Sequence, residues 1–522
     1  MPYTSSMALS CEQLPDDVET LKRLLIGRDE LIEKLKAEIA RLKRWRFGRS
    51  SERTEVALRQ LQLALDQLQV ASDPQLTPTT SQLEESTQAE PKKRVTALRR
   101  APRSFPEHLP RETIVHAPSR CTCPDCGAAM RKFGEDISEM LDYEPGYFKV
   151  IRHVRPKFSC VHCSQVLQMP APVRPIDRGI PAPGLLAQVI VAKYGDHCPL
   201  YRQQAIYRRA GVELERATLA DWVGGASRLL QPLVAALGRY VLGAEKIHGD
   251  DTPVPVLDPG RGKTKRGRLW TYVRDDRPAA SRDPPAVWYR YSPDRKGEHP
   301  RSHLRAFRGI LQADAYAGFA ALYESEQIIE ASCWAHARRK FYDIYVSDRS
   351  PLAAEALQRI GALYGIEEKI RGRPAIERAL VRQEQAAPLL LALHPWLSAT
   401  LQRVSTKSAL AAAINYCLVR WTALTRYRDD GRIEIDNNTA ERSIRPVVLG
   451  RRNYLFAGSD AGGERAANIY SRIGSAMLNA MDPYLYLRHV LERIAEHPIN
   501  RIDELLPWHV AAIGVDPRAQ AA

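Results

Sequence analysis

At 522 residues and 58.8 kDa the chain is too long for one ordinary domain, and its 44% hydrophobic content is enough for several cores. Lys and Arg number 76 against 61 Asp and Glu, so a net charge of +15 and a pI near 9.4 point to a polyanionic partner, nucleic acid first. No apolar run approaches a membrane span and "MPYTSSMALSCEQLPDD" lacks the basic-then-apolar order of a signal peptide, which argues against a membrane or secreted protein and for a cytoplasmic one with its nine cysteines reduced.

Residues 1–70 read as an N-terminal coiled-coil and helical region. Leu25, Ile32 and Ile39 repeat every seven residues, Leu21, Leu35 and Leu42 fill the companion seam, and Arg28 interrupts it. Branched residues on one seam and Leu on the other favour a parallel two-stranded coil, so a homodimer or higher oligomer is expected. Three heptads are marginal alone, and a helix packed on its own chain has the same pattern. A second stripe follows at Leu58, Leu61, Leu65 and Leu68. From 71 to 106 the composition turns to Ser, Thr, Pro, Gln and charge, which predicts a flexible linker ending in the basic run "KKRVTALRRAPR".

Residues 107–175 carry "CTCPDCG" and "FSCVHCS". Cys123 and Cys126 form one CxxC and Cys160 and Cys163 another, the four-thiolate set that Zn²⁺ prefers. Four sulfurs leave no position for water, so the metal is expected to be structural. The 33 residues between the pairs leave room for a small sheet, with "GYFKVIRHVRPKFSC" supplying strands. Cys121 could replace Cys123; Cys11, Cys198, Cys333 and Cys417 are scattered and read as buried thiols.

Residues 176–240 are predicted helical. "PLYRQQAIYRRAGVELERATLADWVGGASRLL" reads as a basic helix, a turn at Gly211, and a second helix started by Thr218 with Asp221 three later, a capping-box pattern. This outline is helix-turn-helix-like and would present Arg202, Arg208 and Arg209 to DNA, although any helical hairpin shares it.

After residue 245 the period changes. "KIHGDDTPVPVL", "GRLWTYVRDD" and "PAVWYRYSPDR" read as three antiparallel strands, followed by a helical piece, the apolar run "GILQADAYAGF", "ALYES", and a last strand "IIEASCWAH". This order matches a ribonuclease-H-like α/β core, in which the first and fourth strands are neighbours. Either Asp250 or Asp251 would then meet Asp314, since adjacent strand residues point to opposite faces. Glu441 in "NNTAERSIRP" offers a helix-borne third carboxylate. Such a set suits Mg²⁺ (or Mn²⁺), two per site, for phosphodiester chemistry.

These segments together resemble the transposases of the bacterial insertion sequence 66 family, nearly end to end. The residues that carry the resemblance are "FGRSSER", the two cysteine knuckles, "GDDTPVPVL", "LQADAYAGF", "CWAHARRKF", "IEIDNNTAERSIRPVVLGRRNYLFAGSDAGGERAA" and "HPINRIDELLPW". The resemblance implies a DDE-type transposase with Asp250, Asp314 and Glu441 as catalytic, metal-binding residues. It also implies cleavage at the element's ends, joining of the freed 3′-hydroxyls to target DNA, and accessory proteins of the same element. A catalytically inactive DNA-binding relative, or a metal-dependent nuclease without strand transfer, stays open at this point.

The fold class expected is therefore α+β multidomain, with the catalytic domain over 241–485 and a tail at 486–522. One departure is the gap between Asp314 and Glu441, 127 positions (441 − 314), which predicts a helical insertion at about 350–430. Around the acids, Arg442, Arg445, Arg451 and Arg452 are expected to neutralise DNA phosphates, as are Arg338, Arg339 and Lys340 in "AHARRKF". His336 and Asn438 are secondary candidates, for proton donation or phosphate contact and for orienting ligands. The glycines of "AGSDAGGERAA" match no phosphate-binding loop, and a tight turn before a helix suffices for them.

Overall fold

In the computed structural model, residues 105–514 are described, except 164, 178, 325, 326 and 455. The zipper and nearly all of the basic linker lie outside the described residues. The described chain is mixed α+β, and none of its helices is long and apolar enough to cross a membrane.

The first sheet is built on a long hairpin. Strands β2 (Met130–Glu144) and β3 (Tyr147–Cys160) run antiparallel from Glu144↔Tyr147 at the turn to Met130↔Cys160 at the far end. Strand β1 (Arg111–Val115) adds parallel to β3, and β4 (Val166–Gln168) antiparallel to it. The far half of β2 is exposed, whereas Leu141, Phe148 and Val150 at the base join the main core. There Asp142, buried on β2, accepts a hydrogen bond from the Leu185 N–H at 3.0 Å, satisfying the start of the next helix from a distant strand.

Four helices follow: α1 (Pro183–Tyr194), α2 (Leu200–Arg209), α3 (Arg216–Leu229) and α4 (Gln231–Leu242). Helix α1 is apolar on nearly every side and runs through the core. The turn after α2 uses Gly211 at φ +76°, a left-handed conformation that suits glycine. Helix α3 begins at Arg216 with Glu215 as N-cap, so Thr218 lies inside it and is not the cap the capping-box pattern suggested. Burying Leu219, Trp222 and Val223 sets its start, and the Leu219 N–H already donates to Glu215 O.

The second sheet has the order β7-β6-β5-β8-β9, with β5 (Lys246–Val256), β6 (Lys265–Arg274), β7 (Ala286–Ser292), β8 (Gly309–Ala313) and β9 (Ile328–Ala331). The first three are antiparallel; β8 joins β5 in parallel and β9 joins β8 in parallel, through α5 (Glu298–His303) and α6 (Ala320–Tyr323). Parallel pairing needs such crossovers, and here they are short.

Helices α7 (Trp334–Asp348), α8 (Pro351–Ile370), α9 (Ala375–Val381), α10 (Ala387–Arg403), α11 (Ala409–Val419) and α12 (Trp421–Thr425) then close around a second core, which includes Ile360, Leu363, Leu393, Leu397 and Ile414 and takes in Ile310 of β8 and Ala331 of β9. A five-residue π-helical segment, Arg382–Ala386, separates α9 from α10. It turns the fully buried Arg382 onto Glu367 at 2.7 Å and onto the carbonyls of Tyr427 and Asp430.

The chain returns to the sheet through α13 (Asn438–Asn453), α14 (Asp460–Leu478), α15 (Pro483–Arg493) and α16 (Pro507–Ala512). Helix α14 covers edge strand β7, where Ser471 and Ser475 hydroxyls accept from the N–H groups of Tyr289 and Val287. The edge is thereby closed to further pairing. The stretch from 486, expected as a tail, is instead folded: Leu487, Val490, Leu491, Leu505 and Val510 are buried in the main core. Their apolar surface leaves water only by packing against the sheet's helices.

Candidate active site and zinc centre

The four knuckle cysteines converge at the far end of the β2–β3 hairpin, each sulfur within 4.8 Å of the others. Cys123 and Cys163 sulfurs are 3.2 Å apart, and those of Cys126 and Cys160 3.5 Å. Each knuckle is a tight turn, with Cys123 bonding Ala128 and Gly127 through its backbone and Cys160 bonding Gln165. The backbone N–H groups of Cys163 and His162 point at Cys160 and bring its thiol down to about 6. The neighbouring thiols push Cys126 and Cys163 the other way, above the ordinary value, and a Zn²⁺ ion shared by the four sulfurs would relieve that crowding. Cys121 is exposed and outside the four.

The acids gather at the end of the second sheet. The parallel ladder of β5 and β8 ends at Gly249↔Ala313, so Asp250 and Asp314 stand side by side one step further on. Burial pushes the Asp250 carboxyl well above the usual carboxylate range, and the charges of Asp314, Asp251 and Glu441 push it the same way. The Asp251 N–H, 2.7 Å from Asp250 Oδ1, opposes them. Asp251 itself points to the other side of the strand. Its side chain, 1% exposed, is gripped by Arg268 at 2.9 Å and by Arg295 at 2.7 Å. Of the two neighbouring aspartates, Asp250 therefore faces Asp314 and Glu441. Arg295 also comes within 3.9 Å of Asp314 Oδ2.

Glu441 arrives on the first turn of α13, and the residue that places it is Asn437. Fully buried, Asn437 donates through Nδ2 to Gly249 O at 2.9 Å, and its Oδ1 lies 3.0 Å from His248 Nδ1. His248 Nε2 faces the Lys246 ammonium at 3.2 Å, so Nε2 accepts and Nδ1–H donates to Asn437. Burial, then the Lys246 charge, hold His248 well below its ordinary value, which keeps the imidazole neutral for this role. The chain Lys246–His248–Asn437–Gly249 ties α13 to β5 one residue before Asp250.

His336, near the start of α7, brings Nε2 to 3.8 Å from Glu441 Oε1. Burial lowers its pKa, while Glu441 and Asp314 pull it upward, and its Nδ1 is buried without a hydrogen-bond partner. Asn438 turns away from the acids: its amide donates to Asp436 Oδ2 at 2.7 Å. Among the described residues, Asp250, Asp314 and Glu441 do not have ligand atoms all within 4.8 Å of one another. They nevertheless form a cluster of carboxylates with uncompensated repulsion at Asp250, the condition a hard divalent cation relieves.

The expected basic residues divide. Arg442, Arg445 and Arg452 are exposed along α13, whereas Arg451 turns inward and donates to Pro253 O. Arg338, Arg339 and Lys340 are exposed on α7, with the Lys340 ammonium 4.7 Å above the Tyr416 ring. Arg202, Arg208 and Arg209 share the exposed face of α2, whose Gln203 and Tyr207 turn inward. Sequence reasoning missed Asn437, Arg268 and Arg295. Once a helix is taken to start at Asn438, Asn437 is its cap position, which is the one available signal.

Comparison with known proteins covers most of the chain. The model described as "Transposase IS66 family" matches residues 178–465, and "zinc-finger binding domain of transposase IS66" matches 120–164. "IS66 C-terminal element" matches 471–508, and "Transposase C of IS166 homeodomain" matches 34–114. Two uncharacterized proteins of Sinorhizobium fredii are similar: y4hP is 41% identical over 497 residues, spanning 91% of this chain and 88% of its own length. The second, y4jD, is 38% identical over 528 residues, spanning 99% of this chain and all of its own. With the cysteine knuckles, the acid-bearing sheet and the folded C-terminal element each inside a matched segment, the chain belongs to the IS66 family of transposases.

Proposed function

We propose that the protein is a DDE-type transposase with a ribonuclease-H-like catalytic core, cutting the ends of its insertion sequence and joining them to target DNA. The observation that carries this reading is the parallel ladder of β5 and β8, which ends one step before Asp250 and Asp314, with Glu441 on the helix that Asn437 ties to Gly249. The sheet order, with the first and fourth strands parallel neighbours, supports the core assignment. Asp250, Asp314 and Glu441 would hold the divalent ions, Mg²⁺ or Mn²⁺. Two such ions supply Lewis-acid stabilisation of the attacking and leaving oxygens of a phosphodiester.

The protein's own groups do the rest. His336, kept neutral by burial, offers Nε2 beside Glu441 as a proton acceptor for the attacking water. Arg295, anchored on Asp251, sets positive charge beside Asp314, where a non-bridging phosphate oxygen gains from it. Hydrolysis breaks the phosphorus–O3′ bond and frees a 3′-hydroxyl. That hydroxyl then attacks a target phosphorus and displaces a second O3′, exchanging one phosphodiester for another without ATP. Structural Zn²⁺ holds the open end of the hairpin, opposite its turn, and the exposed arginines of α2, α7 and α13 hold DNA. The cytoplasm of a bacterium, a homodimer or higher oligomer, and accessory proteins of the same element complete the reading.

Labelled element ends incubated with purified protein and Mg²⁺ test it. Cleavage followed by joining to a plasmid is expected, and Asp314→Ala should abolish cleavage while DNA binding persists. Cleavage without joining would make the protein a nuclease, and binding without cleavage an inactive relative.

A further inference from the structure

A cavity of about 240 Å³ lies between α1, α3, β5, α13 and α14, and its chemistry is unlike that of the acid cluster. Three cations line it: Arg451 is turned onto Pro253 O, and among the described residues neither Lys193 nor Arg465 makes an ion pair. Around them the walls are aromatic and apolar. The Lys193 ammonium is 4.6 Å from the centre of the Tyr454 ring and 5.2 Å from that of Tyr194, and the Tyr454 hydroxyl meets that of Tyr470 at 2.6 Å. Phe456, 43% exposed, stands at the rim. Burial and the Arg465 charge bring the Lys193 ammonium down to about 8, as expected of a cation that lacks a counter-charge.

The backbone makes room for these cations. Arg465 crosses α3 at Gly224, where a Cβ would lie 2.9 Å from Nη1. The glycine-rich segment "AGSDAGGER", which no other role absorbs, forms one lip through Gly458 and Gly462. The cavity also shares a face with the catalytic acids. Val254 alternates in phase with Asp250 on β5, and both it and Leu269 line the cavity. Four strand residues from Asp250 to Val254 span ~13 Å, about four base steps of a duplex at ~3.4 Å each.

We propose that this cavity is a nucleotide-binding site that takes one unpaired nucleotide of the DNA strand, its base on the tyrosine-lined wall and its phosphate on Lys193 and Arg465. Two unpaired cations select an anion, and the aromatic wall selects a flat ring attached to it. The volume, just below the roughly 300–1,000 Å³ of small-molecule sites, accommodates one base and excludes a paired one. The inference rests on DNA being the substrate, but not on the assignment of the catalytic acids.

Calorimetric titration of the full chain without Mg²⁺, using dAMP, deoxyribose 5-phosphate and inorganic phosphate, tests it apart from any cleavage. We expect dAMP to bind at least tenfold more tightly than either base-free phosphate, and a short single-stranded oligonucleotide to displace it where a blunt duplex does not. Lys193→Met and Arg465→Met should each weaken dAMP at least tenfold. Phe456→Ala, at an exposed rim where folding is not at stake, should weaken it about fivefold. Equal binding of dAMP and inorganic phosphate would reduce the cavity to an anion site and overturn the proposal. So would undetectable dAMP binding, dAMP affinity unchanged in Phe456→Ala, or dAMP that the single strand fails to displace.

Discussion

Asn437→Ala tests how the third acid is held. The side chain is fully buried and makes two hydrogen bonds, to Gly249 O at 2.9 Å and to His248 Nδ1 at 3.0 Å. Truncation leaves a carbonyl and an imidazole N–H buried without partners, each costing about 1–3 kcal/mol. A loss of about 2–6 kcal/mol in urea unfolding is expected, read as a lower midpoint at constant slope. Asn438→Ala is the internal control: it loses one bond to a half-buried Asp436 and should cost about 1 kcal/mol. The larger effect should be on chemistry, because Asn437 fixes Glu441 relative to Asp250, and a displacement of about 1 Å costs on the order of 100-fold in rate. End cleavage in Mg²⁺ measures this, with protein kept well below its unfolding midpoint. The reasoning fails if Asn437→Ala costs no more than Asn438→Ala, or if it cleaves at the parent rate.

Asp250→Asn should inactivate the protein yet raise its unfolding temperature at neutral pH without Mg²⁺. The folded Asp250 carboxyl titrates above its unfolded value, so its contribution is fully present below the unfolded pKa and is lost as pH rises through the folded one. Calorimetry at pH 5 and pH 7.5 should show the variant's advantage growing with pH, and a variant less stable at pH 7.5 would contradict the cause assigned. Mg²⁺ should stabilise the parent and not the variant, by about 2.7 kcal/mol at a hundredfold excess over the dissociation constant. Cys160→Ser should lower bound zinc, measured by atomic absorption, and weaken binding of the element ends; full zinc content would exclude the four-sulfur site. Glu367→Gln should cost about 3–5 kcal/mol, since it leaves the Arg382 guanidinium buried without a charged partner, while Arg378 keeps Glu434 at 2.8 Å. A thermal midpoint equal to the parent's would show that pair to be dispensable.

Local chemistry made some of this legible. The paired CxxC knuckles announce their ligands because zinc geometry restricts spacing, and Asp314 announces itself as an acid closing an apolar strand. What one strand cannot reveal is which of two adjacent acids faces a site. Asp251 is withdrawn by Arg268 on β6 and by Arg295 beyond β7, partners that only the folded sheet brings near. Arg378, Arg382 and Arg472 are buried, against the habit of their residue type, through carboxylates and carbonyls distant in sequence. The folded C-terminus is a different case. Leu487, Val490, Leu491 and Ile494 sit at i, i+3, i+4 and i+7, so the helical signal is present, although charged residues between them give the segment the composition of a tail.

The 127 positions between Asp314 and Glu441 would seem to leave the third acid at the mercy of an inserted helical body, but the hydrogen bonds locate control elsewhere. The insertion's core is distinct from the main one but takes in Ile310 of β8 and Ala331 of β9, so it packs against the sheet's outer strands. Its exit is fastened to the strands in steps. Ser332 N–H donates to Ala423 O just after β9, and the Trp334 indole to Leu424 O. Trp334 N–H donates to Ile435 O, and the buried Gln312 side chain on β8 both donates to and accepts from the Glu434 backbone. Asn437 then reaches β5 itself. These ties lie on β5 and β8, which carry Asp250 and Asp314, and on Ser332 and Trp334, which follow β9 directly. Glu441 is thus placed by the last fifteen or so residues before it, in the frame of the sheet. The proposed catalytic set, though split by a long insertion, is physically sound under that arrangement, because packing of the insertion on β8 and β9 meets the entropy of closing the loop and the hydrogen bonds to the sheet set the register.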